Sequence, residues 1–71
     1  SPESALPLLA DIAAQHGAAI EQHQPWWAAR AHLLAMAGRR AEAAEAYERA
    51  LALTAEPALR RYLAARKAGH I

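Results

Sequence analysis

β-Branched residues are almost absent from this chain. Ile12, Ile20, Thr54 and Ile71 are the only ones, and there is no Phe. Strands are built mainly from β-branched and aromatic residues, so the sequence has little from which a sheet can form. Ala and Leu, which are abundant here, are among the strongest helix formers. The chain is therefore predicted to be all-α.

Helix-breaking residues divide the sequence into segments. Pro25, Gly38 and Pro57 are the strong breakers, and Gly17 and Gly69 are further stops. The periodicity of the apolar residues between these breakers predicts about four helices, over residues 5–16, 25–37, 41–54 and 57–68. Residues 18–24 fit either a loop or a short helical turn.

The first two predicted helices have recognisable starting residues. Ser4 is the expected N-cap of the first helix, with Pro7 in its first turn, where the missing N–H has no cost. The second helix is expected to open at Pro25 as its first helical residue, because Gln24 precedes a proline and is biased away from helical dihedrals.

The second and third helices are expected to form an antiparallel hairpin. Only a few residues around Gly38 connect them, and so short a connection reverses the chain. Small residues on the facing sides allow the backbones to approach closely. The predicted core is Trp27, Ala31, Leu34, Ala43, Tyr47, Ala50 and Leu51. The fourth helix is expected to dock on this hairpin through Leu59, Tyr62 and Leu63.

Size and composition limit what else the chain can be. A length of 71 residues makes one domain at most, so residues 1–71 are treated as a single helical domain. The absence of Cys excludes disulfides and thiolate metal sites and fits a cytoplasmic protein. No apolar run approaches the roughly 18 residues of a membrane span, and the first residues do not resemble a secretory signal.

Charge alternates along the sequence although the net charge is only +1. Residues 1–24 and 41–56 are acidic, whereas residues 25–40 and 57–71 are basic. Neighbouring helices with complementary charges and an ordinary solvated surface both explain this alternation.

Metal binding and catalysis find no support in the sequence. The four histidines, His16, His23, His32 and His70, lie on separate segments with no His-x3-His pair. There is no nucleophile–base pair, Gly-rich phosphate loop or pair of carboxylates placed for acid–base chemistry. The chain is expected to be no enzyme, with no catalytic residues, metal or cofactor.

Trp26 and Arg30 are the candidate interface residues. Adjacent indoles on a helix point about 100° apart, so Trp26 cannot share the core position of Trp27. Trp26 either packs on the first helix or residues 18–22, or it anchors a partner. Arg30 lies four residues later on the same face, and it fits either an ion pair with the third helix or a carboxylate ligand.

The last helix is basic. Arg60, Arg61, Arg66 and Lys67 either complement helix C-termini while remaining solvated, or contact DNA phosphates.

The predicted hairpin carries a repeat-like pattern. Trp27, Ala31 and Leu34 are followed by Gly38 in the turn, the pair Glu42-Ala43, and then Tyr47, Ala50, Leu51 and Leu53. On these positions, residues 24–57 resemble one tetratricopeptide repeat. Arg30 and Ala55 depart from the pattern, since the family usually has Leu and Pro there. The resemblance implies antiparallel helical hairpins, with residues 57–71 as a capping helix and residues 5–16 as the second helix of a preceding, truncated repeat.

A second resemblance covers most of the chain and is strongest over residues 24–61. The stretch from Gln24-Pro25-Trp26-Trp27 through Ala46-Tyr47-Glu48-Arg49-Ala50 to Pro57-Ala58-Leu59-Arg60 is similar to the C-terminal, tetratricopeptide-like extension of a group of bacterial extracytoplasmic-function RNA polymerase sigma factors. It implies a C-terminal part of a longer, cytoplasmic protein that acts in transcription initiation.

This second resemblance implies a protein-interaction or intramolecular regulatory module. Its partner would be the parent's own sigma domains, RNA polymerase or a small regulatory protein, with a homodimer left open. DNA would be bound only through the parent's other domains. The alternatives are an accessory DNA-contacting helical domain and a purely structural cap of a longer helical array.

Overall fold

A computed structural model describes residues 1–69. This part of the chain contains four α-helices, a 3-10 segment and no strand, so the prediction of an all-α fold with about four helices is confirmed. The elements are α1 (Pro2–His16), the 3-10 segment (Gly17–Gln22), α2 (Gln24–Met36), α3 (Arg40–Ala52) and α4 (Pro57–Lys67).

The start of α1 lies one turn earlier than predicted. Ser1, not Ser4, is the N-cap, and its side chain accepts a hydrogen bond from the Ser4 backbone N–H. Pro2 takes the first turn, the position that proline favours most in a helix. Pro7 consequently lies inside the helix, where it supplies no N–H to the carbonyl four residues earlier. That carbonyl belongs to exposed Glu3 and can be solvated.

The sequence allows either a loop or a helical turn for residues 18–24, and residues 18–22 of this stretch belong to the 3-10 segment. It begins at Gly17, whose φ of 66° lies in the region that glycine adopts without steric cost. His23 is extended, with φ −97° and ψ 98°, and precedes α2. Gln24 is helical although a proline follows it, which places Pro25 in the first turn one position later than expected.

α2 and α3 form the centre of the molecule. Residues 37–39 connect them, with Gly38 at a φ of 81°, and these two helices contact each other more extensively than any other pair. α1 packs on α2, and α4 packs on α3. Within residues 1–69 the buried core is Leu6, Ala31, Leu34, Ala43, Ala46, Tyr47, Ala50, Leu51 and Leu63.

Two aromatic residues lie elsewhere than expected. Trp27 was predicted to lie in the centre of the core. It is instead half-buried at the margin of the core, because its indole reaches the 3-10 segment. Tyr62, expected to face the hairpin with Leu59 and Leu63, is 57% exposed. Leu63 alone is fully buried on α4, so the contact face of this helix is narrower than its apolar residues indicate.

Residues 1–69 contain no helix long and apolar enough to cross a membrane.

Candidate functional site

Two adjacent tryptophans in the first turn of α2 join three elements. The centroids of the Trp26 and Trp27 rings are 4.9 Å apart with perpendicular planes, the edge-to-face arrangement that aromatic pairs favour. Trp26 Nε1 donates a hydrogen bond to the Leu9 carbonyl of α1 at 3.0 Å. Trp27 Nε1 donates to the Glu21 carbonyl of the 3-10 segment at 3.2 Å. Both indoles therefore attach the first part of the chain to α2.

An arginine lies over each indole. The guanidinium carbon of Arg30 is 6.0 Å from the Trp26 ring centroid, and that of Arg49 is 5.9 Å from the Trp27 centroid. A cation at this distance from an aromatic ring is attracted by its quadrupole. Arg49 Nη2 also donates to the Glu21 carbonyl at 3.0 Å, so this one oxygen accepts from α2 and from α3. We call these four side chains the Trp–Arg cluster.

Both candidate interface residues lie in the Trp–Arg cluster. Trp26 is half-buried and bonded to Leu9, which is the packing on the first helix that the sequence left as one of two alternatives. Arg30 is not ion-paired with α3. Within residues 1–69 the side-chain ion pairs are Arg39–Glu42 and Lys67–Glu48. The positive charge of Arg30 nevertheless contributes to the lowered pKa of the Glu42 carboxyl on α3.

The carboxyl of Glu42 is held in its charged form. Arg39 Nε and Nη2 donate to its two oxygens at 2.8 Å each. This hydrogen-bonded pair lowers the pKa of the Glu42 carboxyl, and the charges of Arg39 and Arg30 add to the effect. A groove of about 310 Å³ beside the cluster is lined by Trp27, Arg30, Glu42, Glu45, Ala46 and Arg49.

On the other side of Trp26 lies an apolar groove of about 410 Å³ between α1, the 3-10 segment and α2. We call it the α1–α2 groove. Its lining includes Leu9, Ile12, His16, Ile20, Trp26 and Ala29. Ile12 is 42% exposed, and Leu8, one turn earlier on α1, is 62% exposed. Large aliphatic side chains at this exposure beside a concave apolar surface are typical of a contact site.

The basic residues of α4 are divided among different contacts. Arg60 Nη1 donates to the carbonyls of Leu51 and Thr54 at the end of α3. Lys67 pairs with Glu48. Arg61 is exposed, and Arg66 turns towards α2 and α3. Two of the four basic residues, Arg60 and Lys67, are thus engaged in contacts within the protein, which weakens the case for binding to DNA phosphates.

The histidines are distributed as follows. His16 and His23 both line the α1–α2 groove, a proximity that their separate positions in the sequence did not indicate. His32 accepts a hydrogen bond from Arg66 through Nδ1. Residues 1–69 hold no group of three or more His, Cys, Asp or Glu side chains placed for a metal ion. His70 lies outside the described residues.

Sequence reasoning missed Arg49 and the Glu21 carbonyl. No local sequence pattern relates Arg49 to a backbone oxygen 28 residues earlier. Comparisons of the chain with protein-family models, curated proteins and solved structures gave no match.

Proposed function

We propose that this chain is a protein-interaction module that regulates a longer protein, and that its contact site is the α1–α2 groove. The observation that carries the proposal is the groove itself, an apolar concavity of about 410 Å³ with Ile12 exposed in its wall. Burial of exposed apolar surface is the main favourable term in most protein association. A Trp at the edge of such a surface adds the residue type most enriched at energetic hot spots.

The resemblance of residues 24–61 to the extension of extracytoplasmic-function sigma factors gives the proposal its biological setting. The module would contact the sigma domains of its parent protein in the bacterial cytoplasm and thereby modulate transcription initiation. The tetratricopeptide-like pattern of Trp27, Ala31, Gly38 and Tyr47 supports the same reading, because stacked helical repeats of this type act mainly by binding other proteins.

The test measures binding of this chain to the separately produced sigma domains of the parent. Ile12→Glu places a charge in the groove wall without removing a described hydrogen bond, and we expect affinity to fall at least about tenfold. Met36→Glu is the matched control, since Met36 is 58% exposed on α2 and does not line the groove. Absence of binding, or equal binding by both variants, would refute the proposal.

Trp26→Ala is a less selective variant than Ile12→Glu. Its indole donates to Leu9 and supports α1, so truncation is expected to lower stability as well as affinity. Thermal melts of each variant, followed by circular dichroism, separate the two effects.

A structural cap is the second candidate function, and the same exposed side chains favour it. Leu8 and Ile12 lie on α1, the face on which a preceding helix of a longer array would stack. In that case Ile12→Glu would lower the melting temperature of a longer chain that includes the preceding residues, while leaving the melting temperature of this chain nearly unchanged.

A further inference from the structure

A small pocket lies where α3 begins and α4 ends. Its volume is about 160 Å³, and we call it the α3–α4 pocket. Three cationic side chains, Arg40, Arg66 and Lys67, line it together with Tyr47. Within the described part of the chain no acidic side chain belongs to the lining. Such an arrangement concentrates positive charge around a space large enough to admit a small anionic group.

Arg66 is oriented in this pocket by uncharged groups. Its Nε donates to the Tyr47 hydroxyl at 3.5 Å, and its Nη2 donates to Nδ1 of His32, which must carry no proton in order to accept. The Tyr62 ring lies 5.9 Å from its guanidinium carbon. The hydrogen bond with Tyr47 raises the pKa of Arg66. These contacts fix the guanidinium without neutralising it, and its other N–H groups remain for a ligand.

Arg40 occupies a position that opposes the electrostatics of its helix. It is the first residue of α3, where the helix dipole favours a negative charge. Arg39 next to it is paired with Glu42, but no carboxylate within residues 1–69 is ion-paired with Arg40. Lys67 shares its charge with Glu48. A charge that opposes its helix dipole and has no compensating ion pair is expected mainly at functional positions.

We infer that the α3–α4 pocket binds a side-chain carboxylate of an acidic protein segment. Guanidinium groups form short, charge-assisted hydrogen bonds with carboxylates. One carboxylate entering the pocket would therefore offset the unpaired charges of Arg40 and Arg66. This site is separate from the α1–α2 groove, so the inference holds whether or not that groove binds sigma domains.

The surroundings favour a single carboxylate over a nucleic acid backbone. Glu48 lies on the same helix as Arg40 and pairs with Lys67 of the pocket wall, so a polyanion lying along this surface would meet its negative charge. Phosphates regularly spaced along a strand need an extended basic surface, and the division of the α4 basic residues among separate contacts does not provide one.

Fluorescence anisotropy with two labelled probes tests this inference. One probe is a hexapeptide with neutral ends that carries a single glutamate among serines. The other is a thymidine dinucleotide, whose one phosphate gives it the same charge, and both are titrated with the full chain at the same low salt concentration. We expect the peptide to bind more tightly. Arg40→Gln and Arg66→Gln should each weaken peptide binding about tenfold, as loss of one charge-assisted contact implies.

Arg61→Gln is the matched control. It removes one positive charge from α4, the helix that carries Arg66, and Arg61 is exposed and does not line the pocket. We expect it to change peptide affinity less than about twofold. Equal weakening by all three variants would show a response to net charge alone and overturn the inference. Tighter binding of the dinucleotide, or no peptide binding, would overturn it too. If Arg66→Gln fails to fold, Arg40→Gln decides, because it removes no described contact.

Discussion

Four alanines determine how closely α2 and α3 approach each other. Ala31 and Ala50 are completely buried, and Ala43 and Ala46 are nearly so. A methyl group is the smallest side chain that a helix contact can contain, so the two axes can lie at the short end of the usual 8–10 Å range. Leu34 and Tyr47 supply the bulk beside them. Such an interface leaves no space for additional volume.

Ala50→Leu should therefore overpack the α2–α3 contact. We expect a loss of about 1–3 kcal/mol in the free energy of unfolding, measured by urea denaturation. Ala52→Leu is the control, because Ala52 is exposed on the same helix and should tolerate the larger side chain with little change. Equal stability of the two variants would contradict the close approach of the helices.

The pair formed by Arg39 and Glu42 has a consequence for pH. Because the folded-state pKa of Glu42 is lowered, its contribution to stability is present above the unfolded value of about 4.3 and disappears as pH falls through the lower folded value. Arg39→Gln should raise the pKa of Glu42, as measured by NMR titration of its carboxyl. Arg40→Gln removes the same charge one residue away and should move that titration much less.

The burial of single residues can be predicted from the sequence, whereas their long-range contacts cannot. The burial of Ala31, Leu34 and Ala50 follows from helical periodicity, since residues three and four apart share one face. The contact of Arg49 with the Glu21 carbonyl depends on how the 3-10 segment lies across two helices. No periodic pattern encodes that geometry.

At the scale of elements, the end of α3 is closed by a side chain of the next helix. The last carbonyls of an α-helix have no partner within the helix. Arg60, in the first turn of α4, donates to the Leu51 carbonyl and, at 2.9 Å, to the Thr54 carbonyl. α4 itself is capped by Glu56, which accepts from the Leu59 N–H at 3.0 Å. The α3–α4 connection is thus held by side-chain contacts in both directions.

Arg60→Gln should loosen this connection. We expect a loss of about 1 kcal/mol in the free energy of unfolding, since the amide is too short to reach both carbonyls. Arg61→Gln serves as the control because Arg61 is exposed and makes no described hydrogen bond. Chemical denaturation of both variants measures the difference, and equal losses would mean that the Arg60 contacts add nothing to the backbone and water partners of these carbonyls.

The order and type of the elements were more predictable than their starts. Pro25, Gly38 and Pro57 separate helices because proline and glycine act locally. The sequence predicts Ser4 as the N-cap of the first helix, whereas α1 begins one turn earlier, where the Ser1 side chain accepts from the Ser4 N–H.

At the scale of the whole molecule, residues 1–69 form a thin body. The principal extents are 30 × 26 × 16 Å, and the shortest is less than the summed width of two helices with their side chains, about 20–24 Å. The core therefore depends on a few large side chains. Leu34 and Leu63 are the largest that are fully buried. α4 contributes only Leu63 to the fully buried side chains, yet this helix covers one side of the α2–α3 hairpin.

Leu63→Ala should accordingly have a large effect. We expect a loss of about 2–5 kcal/mol, which is comparable with the total stability of a small domain, so part of the protein should be unfolded at 25 °C. Tyr62→Ala, at the exposed neighbouring position, should cost far less. Thermal melts by circular dichroism compare them, and a mild effect of Leu63→Ala would mean that α4 contributes little to the core.

Deleting residues 57–71 extends this argument to the whole helix. The apolar side of α3 that Leu63 covers would then be exposed, and we expect the shortened chain to self-associate. Size-exclusion chromatography with light scattering measures its mass. A monomer with an unchanged melting temperature would show that the hairpin is stable without α4.

The indole hydrogen bonds of Trp26 and Trp27 also give the protein a built-in optical reporter. Both acceptors belong to the first third of the chain, the Leu9 and Glu21 carbonyls, whereas both rings sit on α2. The chain has no other tryptophan. Detachment of α1 together with the 3-10 segment would hydrate both rings and shift their emission to longer wavelength even while α2 and α3 stay paired. Intrinsic fluorescence therefore monitors local opening at the amino-terminal end, and circular dichroism monitors loss of the helices themselves.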